Sequence, residues 1–236
     1  EDAVRLIRKD NPFPAACAYV CEHPCEEQCR RKMVDDSVNI CALKRFAVDH
    51  AGDMPAPSRA EETGKRVAVI GGGPCGLTAS YYLSLMGHRV TVYEQRPKLG
   101  GMLRYGIPDY RLPQEVLDRD ITHILSAGVE VCTGVSVGRD LPMEQIQKEF
   151  DAVYIAIGAH TDKKLGLPGE ESTNVISAVE LLRGVGEGNI PDFKGKKICV
   201  IGGGNVSMDA TRTAMRLGAE QVTCVYRRRV DDMTAL

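Results

Sequence analysis

No run of apolar residues in the 236-residue chain approaches the roughly 20 needed to cross a bilayer, and no charged-then-apolar secretory leader opens it. A membrane span and export are therefore not expected, and the cytoplasm is the expected compartment. Basic residues are not in excess either. Lys and Arg number 30 against 32 Asp and Glu, a formal net charge of -2, which lacks the positive field used to hold nucleic acid. There is no nucleophile-base-acid arrangement and no metal-hydrolase motif, and His123 and His160 read as ordinary polar residues. No catalytic side chain is expected.

The remaining composition, 43% apolar and 26% charged, is that of a globular protein long enough for more than one core. Its nine cysteines are unevenly spread. Cys17, Cys21, Cys25, Cys29 and Cys41 crowd the start, where clustered cysteines in a reducing compartment point to metal or redox chemistry. Cys75, Cys132, Cys199 and Cys224 are scattered through apolar or glycine-rich stretches and read as small buried hydrophobes.

Residues 1–50 are cysteine-rich with a mostly helical pattern, and 51–65, "AGDMPAPSRAEETGK", read as a polar, proline-bearing linker. An α/β unit then opens with a strand at 66–70, a glycine turn, a helix over about 75–86 stopped by Gly87, and a strand at 89–94. A helix within 111–128, a strand over 129–137, a short helix near 142–149 and a strand over 152–158 follow. The pattern restarts with a strand at 197–201, a helix over about 205–217 stopped by Gly218, and a strand at 221–226. The chain begins inside an amphipathic pattern (Ala3, Val4, Leu6, Ile7) and stops soon after a strand that belongs mid-domain. Both ends therefore read as truncations of a longer polypeptide.

The repeated element is "VAVIGGGPCGLT" at 67–78 and "ICVIGGGNVSMD" at 198–209. In a GxGxxG turn between strand and helix, the first glycine permits the turn and the second lets the backbone approach a pyrophosphate. The third lets helix and strand pack closely, and the helix N-terminus faces the negative charge. The first copy has Gly71, Gly73 and Gly76, with Glu94 ending the next strand where a ribose hydroxyl is gripped. The second copy keeps Gly202 and Gly204 but has Ser207 in the third place, and its next strand runs into Arg227, Arg228 and Arg229. A ribose 2′-phosphate repels a carboxylate and pairs with guanidinium, so this unit is expected to prefer NADPH to NADH. A flavin at the first turn and NADPH at the second imply hydride transfer to the flavin. No CxxC stands beside the flavin unit, which speaks against a dithiol shuttle.

The four cysteines spaced CxxxCxxxCxxxC would extend over roughly 18 Å on an unbroken helix, too far for one cubane cluster. Either the helix breaks near Pro24 and the thiolates converge, or they serve two clusters. Zinc is the main rival for such a group.

Together "NPFPAACAYVCEHPCEEQCRR", "VNICALKRF", "VAVIGGGPCGLTAS", "YEQRPKLGGMLRYGIPDYRLP", "AVYIAIGA" and the second glycine unit through "VYRRR" resemble the glutamate synthase small subunit and its relatives. Those relatives include the flavin and iron–sulfur half of dihydropyrimidine dehydrogenase and the large subunit of NADH-dependent ferredoxin:NADP oxidoreductases. The resemblance covers nearly the whole chain. It implies an α/β fold of FAD/NAD(P)-binding Rossmann-like domains, of the pyridine nucleotide-disulfide oxidoreductase type, preceded by a small helical iron–sulfur domain. The expected divisions are 1–50 for the iron–sulfur domain, 51–65 for the linker, 66–190 for the FAD domain and 191–236 for the start of the NADPH domain.

By the same resemblance Gly71, Gly73, Gly76 and Glu94 hold the FAD diphosphate and ribose, and Gly100 and Gly101 of "KLGG" make a second flavin contact. Arg111 approaches the FAD, Val137 touches the adenine by its backbone, and the strand ending at Gly158 closes over the flavin. Gly202, Gly204, Asn205, Val206, Arg227 and Arg228 serve NADPH. Cys21 and Cys25 belong to one 4Fe–4S cluster and Cys29 to another, with Cys17 a further candidate. Where relatives carry a glutamine or glutamate ligand this chain has Lys44, which cannot ligate iron when protonated, so Cys41 is expected to supply that ligand. The implied function is an electron-transfer flavoprotein subunit that passes electrons between NADPH and iron–sulfur clusters through FAD to a partner redox subunit or fused domain. The alternatives are a docking subunit with vestigial nucleotide sites, or a subunit of a ferredoxin-linked electron-bifurcating transhydrogenase.

Overall fold

The computed structural model describes residues 1–235; Leu236, where the expected NADPH segment ends, lies outside them. The chain divides into two compact units, Glu1–Leu103 with Arg111–Gly158, and Arg104–Tyr110 with the chain from Ala159 onward.

The first unit is built on a four-stranded parallel sheet in the order β3-β2-β1-β4, with β1 Arg66–Ile70, β2 Arg89–Glu94, β3 Glu130–Thr133 and β4 Ala152–Ile155. Its central strand reads Val67-Ala68-Val69-Ile70 without polar interruption because both faces are covered. On one face Ala68 and Ile70 pack with Ile146 of α8 (Met143–Glu149) and with Phe150. On the other lie α5 (Pro74–Leu85) and α7 (Gln114–Leu125), which bury Leu77, Leu117 and Ile124 completely.

The cysteine-rich start belongs to this unit. It holds α1 (Asp2–Ile7), α2 (Pro14–Val20), the single turn α3 (Pro24–Glu27), a 3-10 turn at Arg30–Met33 and α4 (Ile40–Asp49). Helix α2 packs on α4 and on α7, and Asp120 of α7 accepts the Ala16 N–H at 2.9 Å. The 51–65 segment has no helix or strand yet is tied down, since Ala60 N–H donates to Leu85 O (2.8 Å) and Thr63 N–H to Gly87 O (3.0 Å).

The second unit carries the parallel pair β5 (Lys197–Ile201) and β6 (Gln221–Val225) joined by α10 (Asn205–Arg216), with α9 (Ala178–Gly186) against α10. Helix α6 (Met102–Tyr105) lies where the chain passes from one unit to the other. Among the described residues no helix is long and apolar enough to cross a membrane.

Strand β3 stops short of the expected 137 because Gly134 turns at φ +73°, leaving Val137 in an isolated bridge to Leu141. The scattered cysteines are not buried: Cys75 and Cys199 are exposed, Cys132 and Cys224 half-buried. Cys75 sits in the open first turn of α5, its Sγ 3.5 Å from Tyr154 Oη. Cys199 and Cys224 lie on a two-stranded sheet too narrow to enclose them.

Candidate nucleotide and cluster sites

At the first turn the chain leaves β1, reverses through Gly71-Gly72-Gly73 and enters α5 at Pro74, a residue suited to the first helical position. Gly71 adopts φ +111°, and a Cβ there would fall 2.3 Å from Ala156 O. A Cβ on Gly76 would fall 1.9 Å from Gly71 O. Both glycines are required by the packing of the turn itself. Gly73 differs, because a Cβ there meets nothing nearer than Gly101 Cα at 3.6 Å. Of the three positions, Gly73 is the one with room for a side chain.

Glu94, only 7% exposed, reaches back beneath this turn. Its Oε2 accepts the Gly72 N–H at 2.7 Å and its Oε1 the Arg96 N–H at 2.8 Å. A carboxylate has about four lone-pair sites, so these two bonds do not exhaust its acceptor capacity. Gly100 N–H donates to Gly72 O at 2.8 Å, and a Cβ on Gly101 (φ +53°) would come within 2.7 Å of Gly73 Cα. The "KLGG" loop thus lies directly on the turn.

Past β4, Ala156 N–H donates to Ile70 O at 2.8 Å, and Gly158 follows at φ +69°. Val137 packs its side chain into the Ala68–Phe150 cluster, and Arg111 is half-buried ahead of α7. Gly71, Gly73, Gly76, Glu94, Gly100 and Gly101 are therefore gathered at one place. The middle glycine was not among the expected site residues, yet a Cβ on Gly72 would lie 2.4 Å from Leu99 Cδ2. The unbroken triple glycine was the signal for it. Open backbone at Gly73, the N-terminal end of the 12-residue α5 and the buried acid together fit a dinucleotide such as FAD.

The second turn repeats the plan with one change. Gly202 adopts φ +139°, and a Cβ there would fall 2.2 Å from Ser207 Oγ. The serine hydroxyl stands over the first glycine of its own turn. Gly203 lies on the ring of Tyr226, 2.6 Å from a would-be Cβ, and Tyr226 Oη donates to Asp232 O at 3.1 Å. Gly204 caps α10, whose first residues are Asn205 and a half-exposed Val206. Arg227 and Arg228 are exposed beyond β6, while Arg229 faces Asp232 at 3.6 Å. The chain then folds back, the N–H groups of Thr234 and Ala235 each 3.2 Å from Gly203 O. Tyr226 and Thr234 were not expected at this turn; an aromatic just ahead of the arginine run was the available clue. Exposed arginines at the end of the strand that follows this turn fit a phosphorylated dinucleotide.

The cysteine segment is not one helix. After α2 the backbone is extended at Cys21, His23 takes φ +40°, and Pro24 starts the separate turn α3. Cys25 lies in α3, Cys29 just ahead of the 3-10 turn, and Cys41 in the first turn of α4. Burial pushes the Cys41 thiol up; Lys44 opposes this, while Cys21, Glu26 and Cys25 add to it. Backbone hydrogen bonds from Val38 and Arg31 hold the Cys29 thiol below its ordinary value. Glu26 Oε1 accepts the Cys41 N–H at 2.7 Å. Among the described residues no three His, Cys, Asp or Glu side chains are gathered around one point. The thiols of Cys21, Cys25, Cys29 and Cys41 sit on separate short segments rather than along one helix.

The model of the pyridine nucleotide-disulphide oxidoreductases matches residues 45–136 and 65–230. The chain belongs to that family. The model for dihydropyrimidine dehydrogenase domain II, 4Fe-4S cluster, matches residues 1–55 of this family member. The NADPH-Fe(3+) oxidoreductase subunit beta of Geobacter sulfurreducens is 42% identical over 243 residues, covering 100% of this chain and 36% of that protein. The small chain of the NADPH glutamate synthase of Escherichia coli is 34% identical over 247 residues, 98% of this chain and 52% of that one. Each is named as one subunit or chain of its enzyme, and this chain spans between a third and about half of their lengths. FprA of Mycobacterium tuberculosis shares the fold with a TM-score of 0.63 and 22% identity, over 72% of this chain and 45% of its own.

Proposed function

We propose that this chain is the nucleotide- and cluster-binding part of a cytoplasmic electron-transfer flavoprotein that takes electrons from NADPH. The supporting observation is one turn built twice with opposite partners. The first meets a buried carboxylate, Glu94, and the second runs into exposed guanidiniums, Arg227 and Arg228. In this reading residues 66–190 serve FAD, residues from 191 serve NADPH, and residues 1–50 supply ligands to iron–sulfur clusters, with 51–65 as connection. FAD, when bound, supplies the conversion between hydride transfer and single-electron transfer.

The chain's own residues bind and orient. Gly73 and the start of α5 receive the FAD diphosphate, Glu94 its ribose, and Gly100 and Gly101 border it. Arg111, the backbone of Val137 and Gly158 complete that site. Gly202, Gly204, Asn205 and Val206 receive the NADPH diphosphate, and Arg227 with Arg228 pairs the 2′-phosphate. Cys21, Cys25, Cys29 and Cys41 supply thiolates to iron. The electron acceptor is a partner redox subunit or fused domain of the glutamate synthase large-subunit or ferredoxin-linked kind.

Charge-assisted hydrogen bonds contribute about 1.5–3 kcal/mol each. Replacing Arg227 and Arg228 with Ala should therefore raise the KM for NADPH by at least about tenfold, leaving that for NADH nearly unchanged. A matching rise for both nucleotides would remove the 2′-phosphate role. Cys41→Ser should lower the iron content of the anaerobically prepared protein; an unchanged content and cluster spectrum would take Cys41 off the ligand set.

A further inference from the structure

Glu26 stands one residue after Cys25 and three before Cys29, and its side chain is only 15% exposed. One carboxylate oxygen accepts the Cys41 N–H at 2.7 Å across 15 residues of sequence. The other lies 3.5 Å from His23 Nδ1. Cys41 is the second residue of α4, where backbone N–H groups have no partner within the helix. Asn39 Oδ1 takes the Ala42 N–H at 3.2 Å, so a local side chain and a distant one share the first turn. Glu26 joins that turn to the segment bearing Cys21 and Cys25, alongside the Cys41 thiol, which lies 3.8 Å from Ala18 O of α2. Helix α3 is four residues long and too short to be stable alone, so this bond ties the Cys25 turn to the start of α4. The carboxylate also lies at the positive end of the ten-residue α4.

We propose that Glu26 is a positioning residue for the 4Fe–4S cluster, holding the Cys25 and Cys41 segments in register and lowering the cluster's reduction potential through its charge. This rests on the cluster reading above. Reduction adds one electron to the cluster, and a fixed carboxylate beside the thiolates opposes that gain. Lys44 and His23 face the same group of side chains and are unchanged in each variant below.

The test uses the full chain purified without oxygen, with iron quantified and the cluster titrated with dithionite against redox mediators. Glu26→Gln keeps a carbonyl oxygen for the Cys41 N–H and removes the charge, so iron content should match wild type while the midpoint potential moves positive. Glu26→Ala removes both, and iron per chain should fall to roughly half or less, as when other outer-shell partners of metal ligands are lost. An unmoved or more negative midpoint in Glu26→Gln overturns the charge role. Wild-type iron in Glu26→Ala overturns the positioning role. Where Glu26→Ala does not fold, the Glu26→Gln midpoint decides. Iron-free wild type overturns the cluster reading and this proposal with it, whereas iron-loaded wild type with unmoved variants overturns Glu26 alone.

Discussion

Gly76→Ala is expected to lose both stability and flavin, and Gly73→Ala to lose flavin alone. At Gly76 the added Cβ falls 1.9 Å from Gly71 O and 3.1 Å from Val69 Cγ1. The first of these is backbone in a turn whose own first residue is fixed at φ +111°. Helix α5 must therefore move off β1, a strain that in packed interiors costs about 1–3 kcal/mol or more. Gly73 has φ -83° and ψ -177°, open to any L-residue, and its Cβ meets Gly101 Cα at an ordinary 3.6 Å. The fold tolerates that methyl group; a diphosphate lying against the Gly73 backbone does not. Urea unfolding should leave Gly73→Ala at the wild-type midpoint, while FAD affinity drops at least about tenfold, about 1.4 kcal/mol. Equal destabilisation of the two variants, or undiminished FAD binding by Gly73→Ala, would contradict this division between the glycines.

Asp120→Ala should destabilise the protein by about 3–5 kcal/mol. The Asp120 side chain is wholly buried, and that of Arg8 is only 10% exposed. Oδ2 holds the Ala16 N–H at the start of α2, and Oδ1 faces Arg8 Nη2 at 3.7 Å. Truncation leaves a buried guanidinium without its counter-charge and a helix start without its acceptor. Asp120→Asn also removes the charge beside Arg8 but keeps an oxygen for Ala16, so it should cost less than Asp120→Ala.

The same pair gives a pH dependence. Burial outweighs the Ala16 hydrogen bond and Arg8, and pushes the Asp120 carboxyl from 3.8 up to about 6. The folded state therefore holds its proton where the unfolded chain has already lost it. Stability from this group is complete below about pH 4 and is lost as pH rises through 6. At about 1.36 kcal/mol per pH unit, wild type should lose about 2–3 kcal/mol relative to Asp120→Asn between pH 4 and 7, then level off. A flat difference across that range would contradict the assignment.

Both glycine turns, β1, β2, β5 and β6 were legible because glycine at a strand end and a continuous apolar run answer to local rules. Helix α9 was missed although "SAVE" displays its start: Ser177 Oγ accepts the N–H groups of Val179 and Glu180 at 3.1 and 3.3 Å. The Ser-x-x-Glu spacing was there to read. The break in the cysteine segment was left open between two readings because a left-handed turn at a non-glycine residue, His23 at φ +40°, is not marked in the sequence as a glycine would mark it. Asp120 was unreadable as a buried acid, since its partners Ala16 and Arg8 lie more than 100 residues away. The exposure of Cys199 was missed for the reverse reason: an apolar strand predicts burial, which needs neighbours on both faces.

The central claim is that one polypeptide joins a nicotinamide, a flavin and an iron–sulfur cluster. Its most direct test is an anaerobic visible spectrum of the full-length protein, with flavin and iron quantified, before and after NADPH. The account predicts flavin bands over a broad iron–sulfur shoulder, both bleached by NADPH. A colourless protein, or one whose bound flavin and iron are unchanged by NADPH, would contradict it.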